Sequence, residues 1–200
     1  MNIFDAIKQR RAIKQYDPDH VMSDDEITQL MELTLKAPTS FNIQHWRFVL
    51  VQDKDKRKEL REAAWDQAQV TDASLIFVVT ADVKAWEKDP QRYWENAPQQ
   101  TQDILVPMIK QFYEGREWIQ RDEVMRSAGL AAQTMMLSAK GMGYDSCPMI
   151  GFDQDHVAKI INLPEDHVIC MMVAVGKGTK EAWDKPGQLP LANVLIKNSF

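Results

Sequence analysis

Two apolar runs limit what this chain can fold into: SLIFVVTA at residues 74–81 and VICMMVAVG at 168–176. Both are strand length and far short of the roughly 20 apolar residues that cross a bilayer as a helix. A strand wetted on one face alternates apolar and polar residues. SLIFVVTA does not alternate, so it reads as a strand covered on both faces, and VICMMVAVG as another buried strand. A chain of 200 residues with 44% hydrophobic content can supply the core these strands need. No linker interrupts it, so a single domain over 1–200 is expected.

The formal net charge of -5 and the pI near 5.4 argue against a nucleic-acid surface, which would carry a basic face. A small molecule is the expected partner. Cys147 and Cys170 are the only cysteines, and the N-terminus has no leader-like order of charged, apolar and small residues. That pattern suits free thiols in a reducing cytoplasm.

Around the two runs, strands and helices alternate. Ile3, Phe4 and Ile7 mark one face of a first helix that should end near Arg10, Arg11 and Lys14. Ser23 and Glu26 have capping-box spacing ahead of Ile27, Leu30, Met31, Thr34 and Leu35, a helix that Pro38 stops. WRFVLV then reads as a strand and KDKRKELREAAW as a helix with a charged face. Residues 84–119, with Trp86, Trp94, Pro98, Pro107 and Trp118, read as helices and loops, a candidate lid. RDEVMRSAGLAAQTMMLSAK is a helix rich in small residues, ended by Gly141 and Gly143. After it YDSCPMIGF reads as a turn-rich segment, Asp153 as the cap of a helix through Ile161, and ANVLIKN as a further strand.

Three groups could carry chemistry. Arg10, Arg11 and Lys14 can converge on a phosphate through charge-assisted bonds, or can simply answer the dipole of a helix end. Pro38, Thr39, Ser40 and Asn42 can form an ordinary turn or can hydrogen-bond a heterocycle, with Trp46 anchoring the strand that follows. Pro148, Met149, Ile150 and Gly151 can be a plain connector, or a flat segment that lies against an aromatic ring and offers a backbone N–H.

Familiar catalytic motifs are absent. His20, His45, His156 and His167 have no metal-ligand spacing among themselves or with the cysteines, so no metal is expected. There is no GxSxG, P-loop or GxGxxG, and GKG at 176–178 lacks the Walker pattern. If the chain is an enzyme, an organic cofactor must bring the reactivity.

In order, RRAIKQY, APTSFNIQHWRF, DQAQVTDASLIFVVTAD, MGYDSCPMIGF and GQLPLANVL resemble the nitroreductase family of flavin-dependent oxidoreductases over essentially the whole chain. The resemblance implies an α+β fold with a mostly antiparallel central sheet flanked by helices. It implies a homodimer that exchanges C-terminal segments and holds FMN at the subunit interface. The implied activity is a ping-pong hydride transfer through flavin N5, from NADH or NADPH to nitroaromatic, quinone or related small acceptors. A flavin-binding sensor or storage protein without rapid turnover is the alternative, and a dimeric module gripping a protein through residues 84–119 is a third.

Carried onto this sequence, the resemblance gives Arg10, Arg11, Ala12 and Lys14 to the phosphate and ribityl chain, with Ala12 where Ser is frequent. It gives Pro38, Thr39, Ser40 and Asn42 to the loop that lines the flavin from the partner subunit, and Gln67 and Gln69, with Asp66 nearby, to the isoalloxazine edge. Pro148, Met149, Ile150 and Gly151 would pack on the ring, with the Gly151 N–H directed at N5. Ile150 stands where some members carry Glu, and Gln188 where an Arg commonly binds phosphate. Lys177 or Lys185 would then substitute for that Arg.

Overall fold

The computed structural model describes residues Met1–Phe200. In chain order α1 (Ile3–Gln9) and α2 (Asp24–Thr34) precede β1 (Trp46–Leu50), and α3 (Lys54–Ala63) and α4 (Gln69–Asp72) lead into β2 (Leu75–Asp82). Then follow α5 (Gln99–Tyr113), α6 (Glu117–Gly141), β3 (Asp145–Met149), α7 (Gln154–Ile160), β4 (His167–Gly176) and a single turn, α8 (Leu191–Val194). The four strands form one sheet in the order β1-β2-β4-β3, and every pairing is antiparallel. The two apolar runs are its two central strands.

All eight residues of β2 are buried. Successive side chains of a strand point to opposite faces. Leu75, Phe77 and Val79 pack with α2 and α6 through Leu30, Ala128, Ala132 and Met135. Ile76 and Val78 pack on the other face with Leu60 of α3, Val70 of α4 and Val157 of α7. The continuous apolar run follows from this double cover.

Local signals fix the helix starts. In α2 the Ser23 N–H donates to Glu26 Oε2 at 2.9 Å and the Glu26 N–H donates to Ser23 Oγ at 3.3 Å, completing the capping box. Asp53 caps α3 by accepting from the Lys56 N–H, and Asp153 caps α7 by accepting from the His156 N–H. The long helix starts at Glu117, one turn earlier than its small-residue pattern indicates. Gly141 is its last residue, and Gly143, at φ +83, makes the left-handed turn into β3.

Two expectations fail. The segment read as turn-rich contains strand β3, with Cys147 opposite Ala174. Its Pro148 disguises it in sequence, but a proline is tolerated on an edge strand because its missing N–H removes no central ladder bond. ANVLIKN forms no strand: after α8, residues 195–200 are exposed and pair with nothing in the chain. A lone strand without a neighbour has no ladder to join. The apolar face of α1 is also turned outward, with Ile3, Phe4 and Ile7 all more than half exposed.

Residues 84–119 build a small core around Ile43, in which Ile43, Ala85, Trp86, Ile109 and Tyr113 are buried together. The excursion is fastened to the sheet by charge. Lys88 Nζ lies 2.8 Å from Asp82 Oδ2 and 2.5 Å from Asp166 Oδ2, and His167 Nδ1 is 2.6 Å from Asp166 Oδ1. These three acidic and imidazole groups are close enough to hold a cation, and the Lys88 ammonium takes that place. Lys88 and Asp166 are half-exposed and only Asp82 is buried, so removing Lys88 leaves one buried carboxylate without its cation. Lys88→Met should therefore cost about 1–2 kcal/mol in urea unfolding, solvent screening the rest, and should speed amide exchange in residues 84–98 more than in β4.

Candidate functional site

Helix α1 ends because Arg10 leaves helical geometry, at φ -61 and ψ 122. The chain then runs extended beside β3: the Ile13 N–H donates to Ser146 O at 3.1 Å, Ala12 bridges Ser146, and Tyr16 bridges Gly178. Ile13 and Tyr16 are buried and anchor this stretch, while Ala12 and Lys14 point outward. Arg11, Ala12 and Lys14 thereby line a cavity of about 550 Å³, with Gln15, Ala68 and Trp183. Arg10 is half-buried at its margin and does not line it.

The 148–151 segment lies at the end of β3, on the same edge of the sheet. Met149 is buried, Ile150 is 76% exposed, and the Gly151 N–H donates to no group of the chain. The Gly151 carbonyl is fixed instead: Gln67 Nε2 donates to it at 2.8 Å and to Ala64 O at 3.1 Å, and Gln69 Nε2 donates to Gln67 Oε1 at 2.9 Å. Gln67 and Gln69 are therefore united with Gly151, and Ala68 between them lines the cavity beside Arg11 and Lys14.

What aims this turn is a break after α3. Trp65 and Asp66 both sit in the left-handed region, at φ +55 and +59, and Arg61 Nε holds Asp66 Oδ1 at 2.6 Å. The Trp65 ring is thrown over Gly151, and a Cβ built on that glycine would lie 3.1 Å from its Cζ3. Neither Trp65 nor Trp183 is singled out by a sequence motif, and they are 69% and 82% exposed. The available signal was their setting: each stands among polar residues, without apolar partners at helical or strand spacing.

The third group is elsewhere. Residues Ser40–Asn42 form a tight turn in which Phe41 and Asn42 have φ +50 and +57. Thr39 Oγ1 accepts from the Gln44 N–H at 3.0 Å, and Asn42 Nδ2 donates to Tyr93 O at 2.8 Å, tying the loop to the 84–119 excursion. Pro38 is exposed, and Ser40 lies beside the buried Tyr113 hydroxyl. This loop enters β1, the edge opposite β3, three strand spacings or about 14 Å away. One chain does not bring it to Gly151 or Lys14. Lys177 donates to Gly143 O at 2.8 Å and lies over the Tyr144 ring, and Lys185 bonds Gln188, so neither lines the cavity.

His45 supports the 38–44 loop from beneath. It is 1% exposed, its Nδ1 is 3.3 Å from Ser127 Oγ, and Ser127 in turn donates to Glu123 Oε1 at 3.4 Å. Burial pulls its imidazole down to about 4, with Arg47 adding to the effect and Asp82 opposing it. Between about pH 6.5 and 4 the unfolded chain binds a proton that the folded chain refuses. Stability is thus full above pH 6.5 and falls on acidification toward pH 4, by about 1–3 kcal/mol. Urea midpoints across this range should show the slope, and His45→Gln should flatten it. Gly151→Ala should push the Trp65 ring aside and alter tryptophan emission with little change in unfolding midpoint.

The Nitroreductase family model matches residues 7–177. Protein DrgA of Synechocystis sp. is 52% identical, covering 98% of this chain and 95% of its own length. YodC of Bacillus subtilis, a candidate NAD(P)H nitroreductase, is 32% identical over 96% of this chain and 97% of its own. Among solved structures, a candidate nitroreductase from Exiguobacterium sibiricum in complex with FMN superposes with a TM-score of 0.91 at 28% identity, covering 98% and 97% of the two chains. The candidate nitroreductase ydfN of Bacillus subtilis gives 0.89 at 31% identity, with 98% of each chain covered. With its antiparallel sheet between helices and this match across most of its length, the chain belongs to the Nitroreductase family.

Proposed function

We propose that this chain is an FMN-dependent oxidoreductase that takes electrons from NADH or NADPH and reduces nitroaromatics, quinones or related small electrophiles. The observation that carries this reading is the unbonded Gly151 N–H, in a segment that Gln67 holds next to Ala68, which lines one cavity with Arg11, Ala12 and Lys14. A free backbone donor fixed by Gln67, with Ala68 linking that turn to the cavity of Arg11 and Lys14, fits a planar heterocycle that carries a phosphate. The complex of the Exiguobacterium sibiricum protein with FMN supports the choice of flavin.

On this reading Arg11 and Lys14, with Arg10 beside them, bind the phosphate, while Ala12 lets the chain approach closely. Pro148, Met149 and Ile150 present the Gly151 N–H to the ring, and Gln67 and Gln69 hold that donor in place. FMN, when bound, supplies the two-electron carrier that accepts hydride from the nicotinamide and returns it to an acceptor in a separate half-reaction. No residue stands out as an obligatory general acid, so the proton for the acceptor comes from water or from the cofactor environment.

The working unit is a homodimer, because Pro38, Thr39, Ser40 and Asn42 lie on the far edge of the sheet and reach the ring only from a second copy. Exposed Ile3, Phe4, Ile7, Trp118 and the apolar residues of the tail supply surface for such a contact. No helix of the chain is long and apolar enough to cross a membrane, and the proposed setting is the cytoplasm.

An anaerobic absorbance spectrum tests the activity: flavin bands should bleach with NADH or NADPH and return with a quinone. Bound flavin that stays oxidised would instead indicate a sensor or storage protein, and a colourless protein that cannot be reconstituted would end the reading. Arg11→Ala should weaken FMN binding about tenfold or more, the scale of one hydrogen bond to a charged group, as measured by titration of the flavin-free chain.

A further inference from the structure

Helix α3 closes without a glycine. The Trp65 N–H donates to Glu62 O at 3.1 Å and the Asp66 N–H to Arg61 O at 2.9 Å, the paired bonds of a helix end that usually turns on a left-handed glycine. Here that position belongs to Trp65, at φ +55, and Asp66 follows it at φ +59. A bulky side chain takes this conformation unwillingly, and two in succession need an outside hold.

Two arginines one helical turn apart on α3, Arg57 and Arg61, reach along the segment that follows. Arg57 donates to the carbonyls of Val70 and Ala73, where α4 ends and the chain enters β2. Arg61 grips the earlier half: its Nε donates to Asp66 Oδ1 at 2.6 Å and its guanidinium also donates to Thr71 Oγ1 at 2.9 Å. Within that span Gln67 holds the Gly151 carbonyl, Gln69 holds Gln67, and Ala68 reaches the cavity. Arg61 itself does not line the cavity.

Stability does not account for this grip. The Asp66 side chain is 83% exposed, and an ion pair with one partner in water contributes little to folding. What the contacts supply is geometry. A planar guanidinium bonded at both ends of the span fixes the distance and direction between Asp66 and Thr71, which a point charge would leave loose.

We propose that Arg61 is a positioning residue: by gripping Asp66 and Thr71 it fixes the turn at 65–69, and through Gln67 it sets the direction of the Gly151 N–H. That this N–H serves a flavin ring rests on the FMN reading, whereas the grip rests on the chain's own contacts. Hydrogen bonds to a flavin's ring nitrogens tune its electronics. Arg61 thus acts on the cofactor without touching it.

The test uses the full-length chain with and without FMN, and compares Arg61→Ala with Lys58→Ala, which breaks an exposed ion pair on the same helix. In the flavin-free chain, the emission of Trp65 is obtained by difference from matched chains carrying Trp65→Phe. That emission and the Gly151 amide resonance should both move in Arg61→Ala and stay in place in Lys58→Ala. With FMN, Arg61→Ala should bind about threefold or more weakly, the scale of one neutral hydrogen bond, and the reduction potential of the bound flavin should shift. Urea midpoints of both variants should match that of the unmodified chain.

An unchanged Trp65 emission or Gly151 resonance in Arg61→Ala would overturn the proposal. Unaltered FMN affinity and potential, in a chain that binds FMN, would overturn it as well. A lowered urea midpoint would make Arg61 a support of the fold instead. If the unmodified chain binds no FMN, the flavin reading fails, and the Trp65 and Gly151 signals alone decide whether Arg61 aims the turn.

Discussion

The structure depends on the antiparallel pairing of β2 with β4. Each is a nearly unbroken apolar strand, and together they separate two cores: α2 and α6 cover one face, α3, α4 and α7 the other. Once these two strands occupy the middle, β1 and β3 can only be edges. The segments suspected of function are attached to those edges, where backbone donors are not consumed by a ladder. A free N–H such as that of Gly151 is available because β3 ends there and the extended residues 12–13 outside it pair only with Ser146.

Backbone geometry marks the same places. Eight non-glycine residues have positive φ, and five of them, Phe41, Asn42, Gln44, Trp65 and Asp66, lie in the 39–45 turn and in the break after α3. Such conformations are unfavourable for bulky residues and persist only where the surroundings impose them. Here the surroundings are Tyr93 O holding Asn42, the Thr39 hydroxyl holding the Gln44 amide, and Arg61 holding Asp66. Two rigid, strained turns on opposite edges fit the proposal that one site is built from the turns of two copies.

Electrostatics then separates structural charge from available charge. Lys88 is committed to Asp82 and Asp166, Arg57 to the carbonyls of Val70 and Ala73, and Lys177 to Gly143 O and the Tyr144 ring. Arg11 and Lys14 are held only by a carbonyl and an indole on a tail that has little else to hold it. Their availability distinguishes them within an acidic chain, more than their number does.

Periodicity and caps in the sequence were enough to identify the two buried strands, the capping-box helix, the helix capped by Asp153 and the small-residue helix, because each is encoded by neighbours within a turn or two. The basic cluster and the Gly151 segment were legible as residue types. Their union with Gln67 and Ala68 was not, since it needs α3 to end at Trp65 and β3 to lie beside residues 12–13. Pro148 hid a strand because local preference cannot see that its position is an edge, and ANVLIKN looked like a strand although no partner exists for it in the chain. The sequence by itself determined which segments are apolar, capped or cationic, for those are properties of near neighbours. Only the tertiary structure decided which of them meet, because strand order, edge position and the reach of Trp65, Gln67 and Trp183 depend on contacts between residues far apart in the chain.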